Sequence, residues 1–315
     1  MRLRLARICG TGDVLAEHAA FRCQRPEFFD VVNRGTAVSF ALFNDPQLRH
    51  LVICLISRKA DTGCEHPLTY RFIREVVKFW GIPLTVLQVD INPELGQPNG
   101  YTEWEPKDIQ TRMPVLKPFM DMVKKYGTPY IGGAFCTDRL KLIPFTKYCD
   151  NHFGRGNYIT WLGIRADEPR RLKPKSGVRY LAELSDFDKS DVIRWWRKQP
   201  FDLQIPEHLG NCVFCIKKST QKLGLACKDE PGLMRVFNEL VTGKHVRDGH
   251  RRTGKDVMYR GHLTLDGIAR MSANSDYRNL YQAMVQARRF DTGSCSESCE
   301  IWGDQLVLKF EEVGV

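Results

Sequence analysis

Residues 68–80, LTYRFIREVVKFW, place Phe72, Ile73, Val76, Val77 and Trp80 on one helical face, and Gly81 and Pro83 stop the helix. The run that follows, LTVLQV at 84–89, is short and rich in β-branched residues, the pattern of a buried parallel strand. The same alternation returns further on. TPYIGGAF (128–135) reads as strand, DRLKLIPFTKYCDNHF as mostly helix, and NYITWLGI (157–164) as strand. Strands separated by helices pair in parallel with helices on their faces, so the expected fold class is α/β, a parallel sheet flanked by helices.

After about residue 185 the strand signals fade. DKSDVIRWWRK, GLMRVFNELV, LTLDGIARM and SDYRNLYQAMVQARR carry helical periodicity, which predicts a mostly helical C-terminal region beside the sheet. The expected organisation is a divergent segment at 1–35, an α/β nucleotide-binding-like domain at 36–185 and a helical, cysteine-containing region at 186–315.

No apolar run approaches the roughly 20 residues that span a bilayer. The opening MRLRLARICGTGDVLAEHAAF breaks its apolar stretch with Arg4, Arg7 and Asp13, unlike a secretory signal. The expected location is the cytoplasm, with no membrane partner. Eleven cysteines in such a chain are reduced thiols, ligands or redox groups rather than a disulfide framework. The net charge of +10 favours an anionic partner: a nucleotide, a sulfate ester or nucleic acid.

In open parallel sheets ligands sit at the carboxyl ends of the strands. Three segments fall there: DTGCEHPLTY after 51–60, CTDRLKLIP after 128–135, and GIRADEPRR after 157–164. Together they bring Asp61, Thr62 and Gly63, then Cys136, Arg139 and Lys141, then Arg165, Glu168, Arg170 and Arg171 toward one edge. Guanidinium forks hold sulfate and phosphate oxygens bidentately and a lysine acts as a movable point charge, so the combination reads as an oxyanion pocket.

These segments, followed by LSDFDKSDVIRWW and the Cys-x-x-Cys of GNCVFC, resemble in order the phosphoadenosine phosphosulfate reductase family of the adenine nucleotide α-hydrolase-like fold. The resemblance runs from about residue 60 to 227, and GNCVFCIKKS with the closing FDTGSCSESCE is similar to the branch found in phages and prophages. It implies an oxidoreductase acting on a sulfur group, with an adenine sulfonucleotide or other anionic nucleotide as substrate and a thiol electron donor such as thioredoxin. Asp61, Thr62, Gly63, Arg139, Lys141, Arg165 and Arg171 are the implied substrate-binding residues.

One element of that family is missing. It opens with a strand and a Ser-Gly-Gly-Lys-Asp-Ser type loop whose amides cradle phosphate. Here TAVSF (36–40) matches the strand, but ALFNDPQLRH follows it without a glycine, and only glycine lets the chain turn its amides onto a phosphate unobstructed.

Cys212 and Cys215 have the spacing that lets one turn present two thiolates to a metal. Cys136 stands at the family's cluster-cysteine position, and Cys227 is the nearest further thiol. Four thiolates complete a 4Fe-4S cluster or, as the alternative, tetrahedral zinc. Cys295 and Cys299 compete for the fourth place, or resemble the family's C-terminal sulfur nucleophile, or are plain surface thiols. His66 reads as structural, and core packing explains at least one of Trp195 and Trp196. Two other functions fit the charge and the cysteines: ATP-dependent sulfur transfer to nucleic acid, and a non-catalytic metal-stabilised module binding nucleic acid or protein.

Overall fold

The computed structural model describes residues 62–80, 84–109, 116–129, 135–183, 186, 188–247 and 263–287. Helix α1 (Pro67–Trp80) matches the periodicity, with Phe72 and Val76 buried on its apolar face. Proline at its first position fits, because the missing N–H is one that a helix start leaves unpaired in any case.

The strand expected at 84–89 forms as β1 (Val86–Asp90), with Val86 through Val89 buried. Its partner is β2 (Gly100–Trp104), and the pairing is antiparallel, Val86 opposite Trp104 and Asp90 opposite Gly100. Residues 91–99 account for the difference. A parallel return needs a crossover of about 10–12 residues with its helix, and a loop of this length closes only a hairpin. Two lysines hold that loop. Lys125 Nζ donates to the carbonyl oxygen of Gln97 and to Asn99 Oδ1 at 2.8 and 3.0 Å, and Lys147 Nζ donates to the Asn99 carbonyl at 2.6 Å.

Helix α2 (Lys117–Tyr126) follows Leu116, which adopts a left-handed φ of 62°. The strand expected at 128–135 lies mostly outside the described residues. At Asp138 the chain enters one π-helical turn (Asp138–Leu142) that runs into α3 (Ile143–Phe153). Pro144 supplies the reason: it has no N–H to give the carbonyl four residues back, so the regular ladder cannot continue through it.

Strand β3 (Thr160–Leu162) lies within the expected 157–164 and pairs in parallel with β4 (Val178–Tyr180). Helix α4 (Lys189–Trp196) starts with a reciprocal cap between Asp188 and Asp191, and its fully buried Trp196 packs on Phe72 with ring centroids 4.7 Å apart.

The C-terminal region is helical, as the periodicity predicts: α5 (Thr220–Asp229), α6 (Pro231–Thr242), α7 (Leu265–Ala273) and α8 (Tyr277–Ala287). Helix α5 was not singled out by periodicity, because Leu223, Leu225 and Ala226 bury more than one face of it between neighbours. Phe214 and Phe237 join the segment before α5 to α6, with ring centroids 5.6 Å apart.

Gly224 is the contact point of α5 on α7. A Cβ there would lie 2.3 Å from Ser272 Oγ, whose hydroxyl donates to the Ile268 carbonyl. Gly232 in α6 has open space around it. Gly224→Val should therefore lower stability by about 1–3 kcal/mol through overpacking, whereas Gly232→Ala should stay within about 1 kcal/mol of the parent. Chemical denaturation of the two variants checks this; equal stabilities would contradict the packing.

Candidate thiol site

The site is built where the Thr62–His66 loop meets the Cys-x-x-Cys turn. Glu65 and Cys212 form an isolated antiparallel bridge, and the Val213 amide donates to the Cys64 carbonyl at 3.0 Å. Asn211 enters the turn at a φ of 60°, a conformation Asn tolerates better than most residues. The turn closes as Cys215 N donates to the Cys212 carbonyl at 3.2 Å.

Gly63 fixes the other side. Its φ is +73°, and a Cβ would lie 2.5 Å from the Leu116 nitrogen, which donates to the Gly63 carbonyl. The glycine's role is thus backbone approach, and it ties the loop to the start of α2.

Glu65 is buried and its carboxylate gathers donors. It accepts from Thr62 N at 3.3 Å, Thr62 Oγ at 3.0 Å, Cys64 N at 3.2 Å and Tyr70 Oη at 3.3 Å. Cys212 Sγ lies 3.7 Å from Glu65 Oε1 and 3.1 Å from Thr62 Oγ. Burial, with the Glu65 charge second, pushes the Cys212 thiol well above its usual range, against a smaller downward pull from Lys141. Burial also raises Cys136, and Lys141 and Lys217 oppose it. The buried Lys141 therefore acts on both Cys136 and Cys212.

A cavity of about 240 Å³ opens beside the loop, lined among others by Cys64, Glu65, Tyr70, Phe214 and Phe237. Beneath the turn, the buried Lys218 donates from Nζ to the carbonyls of His208 and Val213 at 2.5 and 2.8 Å. His208 Nε2 lies 2.6 Å from Asp229 Oδ2, and burial outweighs that carboxylate to lower the His208 pKa. Lys222 Nζ pairs with Glu207 at 3.1 Å, and Lys189 with the same carboxylate at 2.9 Å.

The residues read as anion-binding are placed differently from one another. Asp61 lies outside the described residues, and Thr62 covers Cys212. Arg139 sits 3.4 Å from Asp138 and 5.1 Å from the Tyr126 ring centroid. Arg165 is buried and forks onto Asp167 at 2.8 and 3.3 Å; Arg171 pairs with the buried Glu168, whose other oxygen accepts from Arg165 N at 3.2 Å. The Gly-x-Arg loop thus sets the guanidiniums of Arg165 and Arg171 against the carboxylates of Asp167 and Glu168. His66 accepts from Leu68 N through Nδ1 and contacts Glu230 through Nε2 at 3.1 Å, a structural clamp.

A four-sulfur centre needs its thiolates around one point. Cys212 and Cys215 share a turn and Cys136 shares Lys141 with Cys212, but Cys227 sits on α5, raised to about 12 by burial and by Asp266. Among the described residues no three His, Cys, Asp or Glu side chains are close enough to hold a metal ion. Among the described residues the set Cys136, Cys212, Cys215 and Cys227 is not gathered around one point. Cys295 and Cys299 lie outside the described residues. Glu65 and Lys218 are the residues that sequence reasoning missed: nothing in spacing pairs position 65 with 212, and Lys218 reads as an ordinary charge.

The chain is 80% identical over 250 residues, 79% of its own length, to the uncharacterized nin region protein ORF290 of Escherichia phage lambda, and the match covers 86% of that protein. The chain belongs to the family of that phage protein. No protein-family model matches it, and no solved structure matches it. Among the described residues no helix is long and apolar enough to cross a membrane.

Two outcomes follow from the buried groups. Because Cys227 keeps its proton in the folded state up to about 12 while an unfolded cysteine releases it near 9, folding stability is full below pH 9 and falls as pH rises through this window. The slope is at most about 1.4 kcal/mol per pH unit, and urea titrations of the parent and Cys227→Ala should diverge there; parallel curves would contradict it. Lys218→Met strips two carbonyls of their donor and should cost about 2–5 kcal/mol. An unchanged urea midpoint would show that the clamp is not formed.

Proposed function

We propose that this protein is a phosphoadenosine phosphosulfate reductase-like enzyme of the adenine nucleotide α-hydrolase type, working in the cytoplasm on an adenine sulfonucleotide with protein thiols. The observation that carries this reading is the meeting of three of its motif segments at one place. Thr62 and Glu65 of DTGCEHP touch Cys212 of CVFC, and Lys141 of CTDRLK bears on Cys136 and Cys212. A cavity lined by Gly63, Cys64, Glu65, Val213 and Phe214, where the first two of these segments adjoin, supports it.

In this reading Lys141 and Arg139 attract the substrate's anionic groups, while Arg165 and Arg171 shape the neighbouring loop through their internal pairs. Cys295 or Cys299 supplies the thiolate that attacks the substrate sulfur; the sulfur–oxygen bond to the nucleotide phosphate breaks and the nucleotide leaves with a phosphate oxyanion. A dithiol donor such as reduced thioredoxin then attacks the S-sulfocysteine sulfur and expels sulfite. Its second thiol resolves the mixed disulfide, leaving the donor as a disulfide and the protein cysteine as a thiol. The parallel sheet flanked by helices is part of the proposal. The strand expected at 36–40, the apolar segment ahead of Asp61 and the altered phosphate loop fall outside the described residues.

Anaerobically purified protein, given phosphoadenosine phosphosulfate and reduced thioredoxin, should release sulfite. The Cys295→Ser/Cys299→Ser double variant should lose at least a hundredfold, and Lys141→Met about tenfold, the scale of a lost charge contact of about 1.4 kcal/mol. Absence of both sulfite release and sulfonucleotide binding would overturn the reading.

A further inference from the structure

The Cys-x-x-Cys turn has a use that does not depend on the sulfonucleotide reading. Its two thiols are reduced and lie at the ends of a four-residue turn closed by the Cys215 N to Cys212 carbonyl bond. Such a turn brings its end Cα atoms within about 7 Å, inside the span a disulfide bridges. No third or fourth sulfur completes a metal site around them among the described residues.

Cys212 Sγ is covered by the Thr62 hydroxyl at 3.1 Å and faces Glu65 Oε1 at 3.7 Å, as a thiol donating toward a carboxylate. Glu65 is held in place by the Thr62 and Cys64 amides and the Tyr70 hydroxyl, so it cannot swing away from that sulfur without breaking several bonds. The turn itself is fixed from outside the site by Lys218 through the Val213 carbonyl and by the Val213 amide on Cys64. A turn that holds two thiols within bridging distance, one of them facing a fixed carboxylate, has the geometry to close and reopen a disulfide by thiol–disulfide exchange.

We propose that Cys212 and Cys215 form a reversible dithiol–disulfide couple, with Glu65 as the positioning residue that takes the Cys212 proton. The co-reactant is a disulfide, of low molecular weight or on a protein. The Cys215 thiolate attacks one sulfur of that disulfide, forming a mixed disulfide and expelling one thiolate, which takes up the proton Cys215 gave. The Cys212 sulfur then attacks Cys215 Sγ, its proton passing to Glu65. The Cys212–Cys215 bond forms, the mixed disulfide breaks, and the second thiolate leaves and recovers that proton. Two protein thiols are oxidised and one disulfide is reduced to two thiols.

The test uses the full chain equilibrated in buffers of reduced and oxidised glutathione, quenched in acid, alkylated and mapped by mass spectrometry. The expected result is a reversible two-thiol loss confined to the peptide carrying Cys212 and Cys215, restored by dithiothreitol. Cys212→Ser should instead trap one glutathione on Cys215. Glu65→Gln should keep the same end point but close the disulfide about tenfold more slowly, with a changed pH profile; an identical rate and profile would remove Glu65 from the proposal. Cys212 and Cys215 remaining fully alkylated at every glutathione ratio would overturn the couple, as would stoichiometric iron or zinc held by the pair. Because the wild-type map needs no variant, a misfolded substitution does not decide the outcome. Sulfite release is not read in this experiment, so failure here and failure of the reductase reading are separate results.

Discussion

The contact between Glu65 and Cys212, residues 147 positions apart, is the constraint on which the rest of the site depends. Backbone pairing alone would hold the two segments side by side. The carboxylate adds direction, because each donor it accepts comes from its own loop or from α1, while its remaining face meets the sulfur. Gly63 makes this arrangement reachable, since no other residue type could bring that backbone against Leu116 without strain.

The basic excess of the chain takes on a different meaning in the folded protein. Lys125, Lys141, Lys218 and Lys222 are buried, as is Arg165. Lys125 and Lys218 close loops by capping carbonyl oxygens, and Lys222 and Arg165 are matched by carboxylates. A buried cation is tolerated only with such partners. Of the chain's 47 basic residues these five lie in the interior among the described residues, and Lys141 is the one whose charge bears on both Cys136 and Cys212.

Helix α1, the four helices named in the C-terminal periodicity and the short strand at 160–162 were legible because each has one clear apolar face or run flanked by breakers. The hairpin of β1 and β2 was not, since a buried strand has the same composition whichever way its neighbour runs, and only the connection length decides. For the site, the Cys-x-x-Cys turn and the DTGCE loop were legible as separate segments from their residue types. Their contact was not, because a pair so distant in sequence leaves no periodic trace. Cys227 is near Cys212 and Cys215 in the chain, but in the fold it is buried in the core on α5, where burial and the charge of Asp266 raise its pKa.

Amide hydrogen exchange at Val213 tests the central claim most directly. That amide donates to the Cys64 carbonyl and reports the junction itself. The account predicts protection close to that of the buried core in the parent protein and a large loss of protection in Glu65→Ala, with α8 amides unchanged. Exchange at Val213 as fast as in an open loop, or protection that Glu65→Ala leaves untouched, would contradict it.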